Sequence, residues 1–371
     1  MKNKVLLAVM TLGIGLYSQV SSAQIFTLKV TDYGAGAGNT TFENFVNSEI
    51  LTIQNDINKD LPSAPPQRLM EGMANSSVMA NKGLGSDYAS NMKVFLIGAG
   101  VGVGADLQKD SSTKSDISGV GIAPGVIIGA NLGFLDTNKI LGMETNRLNM
   151  YLNFMSYSLN RDISTEAGKE SSAELDMMAL GTHFRYDWIK GRGNKLLGWG
   201  GVKFNFGYEY NKTDLTFNSK ISENVSSTDD DGNTISGTIT GAPSAKIAVA
   251  THSIPLELST DVQLLYFLSL YGGLGADFNF GQAKGNGALN ADESTISCTN
   301  ASGGEVCSGA GTDVKIQPTA NIDATGKVNS MLYRGFAGVQ LNLPFVRIFG
   351  QVSKAFGTEL IGATAGVRFV Y

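Results

Sequence analysis

The chain has 371 residues, among them 46 Gly, 8 Pro, 2 Cys and 2 His, with 16% charged side chains and a formal net charge of -5 at pH 7. Glycine stands well above its usual share of about 7%, yet neither the three-residue period nor the proline content of collagen is present. This balance excludes collagen, a disordered linker, a zinc fold and a disulfide scaffold, and it implies no cofactor, no metal centre and no nucleic-acid partner.

Lys2 and Lys4 precede the apolar run Val5 to Leu16, and Ser21-Ser22-Ala23 supplies small residues before Gln24. That pattern predicts a secretory signal over 1–23, because the apolar run is too short for a membrane-spanning helix of about 20 residues. No cysteine stands at the expected cut, so a lipid anchor is not expected there. Removing Lys2 and Lys4 takes the 28 basic side chains to 26 against 33 acidic ones.

In 24–90, Phe42, Val46, Ile50, Ile53, Ile57 and Leu61 recur every three or four residues. The spacing predicts an amphipathic helix over 41–61, with Thr40 or Thr41 as cap and Pro62 as stop. A second helical piece is expected from Pro66 to Ala80, carrying Leu69, Met70, Met73 and Val78.

From residue 91 onward the pattern changes to a period of two. Phe95, Ile97, Ala99, Val101, Val103, Ala105 and Leu107 alternate with Gly98, Gly100, Gly102, Gly104 and Asp106. In 119–134, Val120, Ile122, Val126 and Ile128 alternate with Gly119, Gly121, Gly125, Gly129 and Gly133. The rhythm returns in 199–211 and 266–281. Successive strand residues point to opposite faces, so each segment carries one apolar face and one small or polar face. A membrane helix with the same glycines would lose about 1 kcal/mol at each relative to alanine. A soluble sandwich would carry charge rather than glycine on its wet face. Ten strands are expected: 91–107, 119–134, 146–160, 173–188, 199–217, 243–260, 264–281, 327–343, 345–356 and 359–371. Long polar connections (108–118, 161–172, 218–242 and 282–326) alternate with shorter ones, as in all-β transmembrane antiparallel barrels with long outer loops and short periplasmic turns, which places both termini in the periplasm. Pro124 and Pro255 interrupt strands and predict bulges or edges of pairing. Phe134, Tyr186, Trp188, Trp199, Tyr266, Phe345, Phe369 and Tyr371 gather near the short turns, where amphipathic rings are favoured.

The signal segment, the dyad strands and the terminal Ala365-Gly366-Val367-Arg368-Phe369-Val370-Tyr371 together resemble bacterial outer-membrane β-barrel proteins as a class, porin-like without pointing to one family. Ser253-Ile254-Pro255-Leu256-Glu257-Leu258 and Tyr271-Gly272-Gly273-Leu274-Gly275-Ala276 are similar to the proline-leucine and glycine strands of small porin-like barrels. The resemblance covers 91–371. It implies the outer membrane of a Gram-negative-type bacterium, contact with its lipid, and recognition of the aromatic-ended last strand by barrel-assembly machinery.

Inward-facing glycines leave volume, and the 41–61 helix is a candidate plug for it; the alternative is a periplasmic helix lying on the membrane or a partner. Lumen-facing candidates are Arg147, His183, Arg185, Asp187, Lys203, Glu209, Glu257, Asp277, Arg334, Arg347 and Arg368. His183, Arg185 and Asp187 could form an acid-base row, but no nucleophile or paired acid accompanies them, so an enzyme is not expected. Cys298 and Cys307 read as a disulfide within 282–326. Asp229-Asp230-Asp231-Gly232 reads as a hairpin turn rather than a calcium loop, since Ser227 and Thr238 stand where ligands belong. The expected function is a pore or small-solute transporter selective through the lumenal charges. The alternative is a structural or surface-binding, adhesin-like barrel using loops 218–242 and 282–326.

Overall fold

The computed structural model describes residues 26–34, 37, 39–60, 66–89, 92, 94–109, 115–135, 138–166, 169–193, 196–228, 233–290, 294–300 and 313–371. The expected signal segment 1–23, the acidic run 229–232 expected to form a turn, and Cys307 lie outside them. In chain order the elements are β1 (Phe26–Asp32), α1 (Thr40–Asp60), α2 (Pro66–Ala80), β2 (Phe95–Lys109), β3 (Ser115–Asn131), the two-residue strands β4 (Lys139–Ile140) and β5 (Met143–Glu144), and β6 (Leu148–Glu166). They continue with β7 (Lys169–Gly193), β8 (Leu197–Ser219), β9 (Ile221–Thr228), β10 (Asn233–Leu264), β11 (Leu268–Asn290) and β12 (Ser294–Asn300). The last four are β13 (Asp313–Lys327), β14 (Met331–Asn342), β15 (Val346–Ala355) and β16 (Leu360–Val370).

Ten of these strands form a closed antiparallel ring, β2-β3-β6-β7-β8-β10-β11-β14-β15-β16, which returns to β2 through pairs such as Arg368 with Gly98 and Ala365 with Val101. Each expected strand lies on one member of the ring. The closure leaves no free edge in the wall, the condition for spanning hydrocarbon with strands. Outward positions carry the apolar half of the dyad: Ile97, Val101, Ile122, Leu152, Leu180, Leu256, Leu270, Val339, Ile348 and Val367 are all exposed. They form the lipid-facing belt of a transmembrane barrel. Phe134, Trp188, Trp199, Tyr266, Phe345, Phe369 and Tyr371 are likewise exposed, at the end where β7–β8, β10–β11 and β14–β15 are joined by short connections. That end is called the turn end below, and the opposite one the arm end.

Several expectations change. The segments 161–172, 218–242 and 282–326 are largely strand rather than loop, because β6, β7, β10 and β11 continue far beyond the length a bilayer requires. β9 pairs antiparallel with β10, with Thr228 opposite Thr234. Neither proline makes a bulge, and Pro124 takes the other expected place, an edge of pairing. Pro124 pairs with Val101 where the β3–β6 ladder has already stopped at Val126, and the β8–β10 register is the same on both sides of Pro255. The N-terminal strand is not at the turn end, since β1 pairs with β13 at the arm end, Phe26 opposite Ala320.

The 41–61 helix is not a lumen plug. Asn39, rather than either threonine, caps α1, its Oδ1 accepting from the amides of Thr41 at 3.1 Å and Phe42 at 3.3 Å. The expected apolar stripe is present, but Phe42, Val46, Ile50 and Ile53 bury against Leu28, Ile235, Ile296, Val314 and Ile316. These residues come from β1, β10, β12 and β13, so α1 completes a small cap at the arm end. The expected second helix takes the lumen instead. α2 packs among β2, β3, β10, β11, β13 and β16. Its Gly72, Ser76 and Ala80 share one face at i, i+4, i+8 and lie on the glycines of the wall. A Cβ on Gly102 would overlap the Ala80 carbonyl, one on Gly104 the Ser76 carbonyl, and one on Gly121 would stand 2.5 Å from the Ser76 carbonyl carbon. Leu69, Met70 and Ala74 pack against Val249 and Ala283.

Gly121→Leu should therefore push α2 off the wall while leaving the strand ladders intact, at an overpacking cost of about 1–3 kcal/mol. A cysteine replacing Ser77 should then react with maleimide on the order of tenfold faster than in the parent. Gly350→Ala, whose Cβ would meet nothing within 4 Å, should leave labelling unchanged. Equal labelling rates in the two variants would remove the role given to the wall glycines.

Candidate functional site

After α2 the chain crosses the rest of the lumen without regular structure, and residues 81–88 are all buried. Backbone groups at membrane depth need partners, and long side chains of the wall supply them. Lys203 Nζ donates to the Tyr88 carbonyl at 2.6 Å, Arg368 Nη2 to the Ser86 carbonyl at 2.7 Å, and Arg185 Nη1 to the Asp87 carbonyl. Thr364 Oγ1 donates to the Lys82 carbonyl at 2.5 Å, and Asn211 Nδ2 to the Ser77 carbonyl at 3.2 Å. The wall cations thus act as caps for a chain that has no ladder of its own.

Around this contact lies a network of ionised groups. Lys82 on the plug reaches Glu209 Oε2 at 2.6 Å, Asp277 Oδ1 at 3.4 Å and Ser253 Oγ at 2.7 Å. Arg334 bridges Asp277, at 2.8 Å, and Glu257, which also accepts from Tyr88 Oη at 2.8 Å. The Tyr88 ring packs on Tyr271, with centroids 5.4 Å apart, and on Phe336 at 4.8 Å. Nearer the turn end, Arg368 Nη1 lies 3.5 Å from Asp87 and stacks over Phe349, and Lys203 meets Asp261 at 2.5 Å. Five cations (Lys82, Arg185, Lys203, Arg334, Arg368) and five carboxylates (Asp87, Glu209, Glu257, Asp261, Asp277) are each at most 5% exposed. Their charges cancel. An unpaired ion here would lose several kcal/mol of hydration, roughly, without return.

Of the expected lumen residues, the structure brings His183, Arg185, Lys203, Glu209, Glu257, Asp277, Arg334 and Arg368 together around the plug. Asp187 pairs with Arg185 at 3.3 Å and keeps 22% of its side chain exposed. Arg147 and Arg347 stand apart, half-buried at the turn end. His183 does not face an open site. Its ring is enclosed by Gly85 of the plug and Gly207 of β8, with Nε2 3.6 Å from Glu209 Oε1. Lys82, Asp87 and Tyr88 escape sequence reasoning because they lie in a short stretch with neither period, and Asp261 because the expected strand ends at 260, although Asp261 continues the buried row of Glu257 and Ser259 on β10. Two opposite charges in a segment as poor in apolar residues as 80–90 were the available signal.

A second property of the wall is that it is more polar than the plug requires. Asn149 Nδ2, Tyr151 Oη, Asn153 Oδ1, Asn205 Oδ1 and Asn211 Oδ1 are buried with no hydrogen-bond partner in the protein. Groups of this kind are normally satisfied by water.

Several solved barrels superpose over most of the chain at low identity. The transport unit of the autotransporter AIDA-I from Escherichia coli is 10% identical with a TM-score of 0.29, covering 83% of this chain and 100% of its own. The toluene transporter TbuX of Ralstonia pickettii is 10% identical with a TM-score of 0.23, covering 81% and 99%. Ail of Yersinia pestis, solved with the heparin analogue sucrose octasulfate, is 10% identical with a TM-score of 0.19, covering 75% and 99%. The barrel assignment stands on the closed strand order, not on these superpositions. No curated protein matches the chain. A family model described as Lsa36-like matches residues 20–371, spanning barrel, plug and cap alike, and the chain belongs to the Lsa36-like family.

Proposed function

We propose that this protein is an outer-membrane pore for small solutes, closed at rest by residues 66–92, with the arm end facing outward. The observation that carries the reading is the surplus polarity of the wall. A barrel built only to hold a fixed plug has no use for buried amide atoms such as Asn149 Nδ2, Asn153 Oδ1 and Asn205 Oδ1, which the plug does not engage. The same amides suit a wall that meets water when the plug moves. Selectivity on this reading comes from His183, Asp187, Glu209, Glu257, Asp277 and Arg334 along the lumen and from Arg147 and Arg347 at its mouth. The partners are outer-membrane lipid along the apolar belt and small solutes inside, with the C-terminal strand read by assembly machinery. A non-enzymatic role agrees with the enclosed His183.

A lock tests the pore. Ser77 Oγ lies 3.3 Å from Thr251 Oγ1, close enough for cysteines at both positions to bridge helix and wall. In a C298S/C307S background, S77C/T251C should pass no current in planar bilayers when oxidised and recover the parent's openings when reduced. Equal conductance in both states would rule out plug movement as the gate.

The charged contact gives a second expectation. Lys82→Met leaves Glu209 and Asp277 buried beside each other with one cation fewer, a loss of about 3–5 kcal/mol for breaking a buried pair from one side. Open probability in single-channel recordings should rise, while Lys354→Met, on an exposed pair with Glu359, should not alter it.

The folded cap at the arm end favours a second reading, in which the barrel chiefly presents that cap to a partner. A barrel silent in bilayers both with and without residues 24–92 would favour this over transport.

A further inference from the structure

At the turn end, below the plug, a cavity of about 610 Å³ opens between the wall and the last residues of the plug, Ala89 and Met92. Its lining is unbalanced in charge. Arg147, Arg185, Lys190, Arg192 and Arg347 contribute five cations against Asp187 and Asp261. Arg185 and Asp261 are already bound into the plug network, Arg185 to Asp187 and Asp261 to Lys203. Lys190 meets Glu144 only at an exposed 3.6 Å, a contact of little strength.

Arg147 and Arg347 differ from the rest. Each is held by backbone carbonyls and not by a carboxylate. Arg147 Nε donates to the Asp187 carbonyl at 2.8 Å and Nη2 to the Trp188 carbonyl at 2.5 Å, while Arg347 Nη1 donates to the Leu343 carbonyl at 2.5 Å. Neither forms an ion pair among the described residues, and Arg347 Nε is buried with no partner. Two guanidinium groups are therefore oriented by neutral acceptors with their charge uncompensated.

The wall is shaped around this space. The β7–β8 register shifts between Asp187 and Ile189, the β8–β10 register shifts between Thr260 and Val262, and Gly201 between them has φ +88°. Bulges bend strands and re-aim side chains at barrel rims beside sites.

We infer that this vestibule is a binding site for a small organic anion with two or more negatively charged carboxylate or phosphate oxygens, held by Arg147 and Arg347. The volume suits such a ligand, and guanidinium forks match paired anionic oxygens. Asn131, Asn146 and Gln263 line the same cavity and supply neutral donors. Binding here does not require the plug to move, so this site and the pore reading fail independently.

The test uses the full mature chain folded in uncharged micelles, with citrate and inorganic phosphate as probes, followed by calorimetry and by the fluorescence of Trp199, which lines the cavity. Saturable binding that weakens with added salt is expected, weaker by on the order of tenfold in Arg347→Gln and further in R147Q/R347Q. Lys354→Gln, at the arm end of the wall, should bind as the parent does. Absence of saturable binding to both probes, or equal affinity in the parent and in the folded single variant R347Q, would overturn the site. Binding confined to micelles doped with phosphatidylglycerol would overturn it too, identifying a lipid headgroup contact instead.

Discussion

A backbone that is neither helix nor strand cannot sit at membrane depth unless each of its polar groups finds a partner there. Residues 82–88 borrow donors from the wall for the carbonyls of Lys82, Ser86, Asp87 and Tyr88, and much of the interior follows from it. Arg185, Lys203 and Arg368 point inward because carbonyls of the plug need them. Those cations then need counter-charges, which Asp87, Asp261 and their neighbours provide. The resulting neutrality of the buried set is a requirement of the medium and not a coincidence of composition.

The glycines belong to the same account. Ten strands enclose little room, and a small barrel is normally filled by its own side chains. Here β2 and β3 withdraw their inward side chains so that a helix with a small-residue face can lie against bare backbone. Where the wall does carry large inward residues, as at Tyr271, Phe336 and Arg334, the plug has lost regular structure and presents Tyr88 or a carbonyl between them. Helix and coil in the plug thus match two kinds of wall.

The wall was legible in the sequence because lipid on one side and lumen on the other impose a strict alternation, and ten segments from Phe95 to Val370 display it. The inward orientation of Arg185, Lys203, Asp277 and Arg334 followed from counting parity along those strands. The occupant of the lumen was harder to identify for a physical reason. Hydrophobic periodicity detects a helix that buries an apolar stripe against an apolar partner, which is what α1 does on the cap. α2 instead buries Gly72, Asn75, Ser76, Ser77 and Ala80, residues whose fitness is closeness of approach and hydrogen bonding, and which a hydropathy pattern reads as polar. Parity was equally silent on strand length, because the arms beyond the bilayer keep a strand geometry whose two faces no longer differ in solvent.

The way the plug is anchored limits how a lumen like this one can open. At the turn end the plug runs straight into β2, where the amide of Val94 donates to the Tyr371 carbonyl at 3.1 Å. At the arm end it follows α1, which is packed into a cap whose strand β1 is paired to β13. The described residues that flank the plug are thus tied to the cap on one side and to the wall on the other, so the proposed opening would rearrange the plug inside the wall. Apolar packing would resist that at every step, since each displaced contact exposes surface. Lys82 lies between Glu209 and Asp277, and on the intervening strand β10 Glu257 stands two residues beyond the ladder partner of Asp277 and four beyond that of Glu209, so a lysine displaced toward the turn end would meet a further carboxylate. On the proposed gating, hydrogen bonds and ion pairs on a glycine surface would hold the plug in place while offering it other partners along the wall.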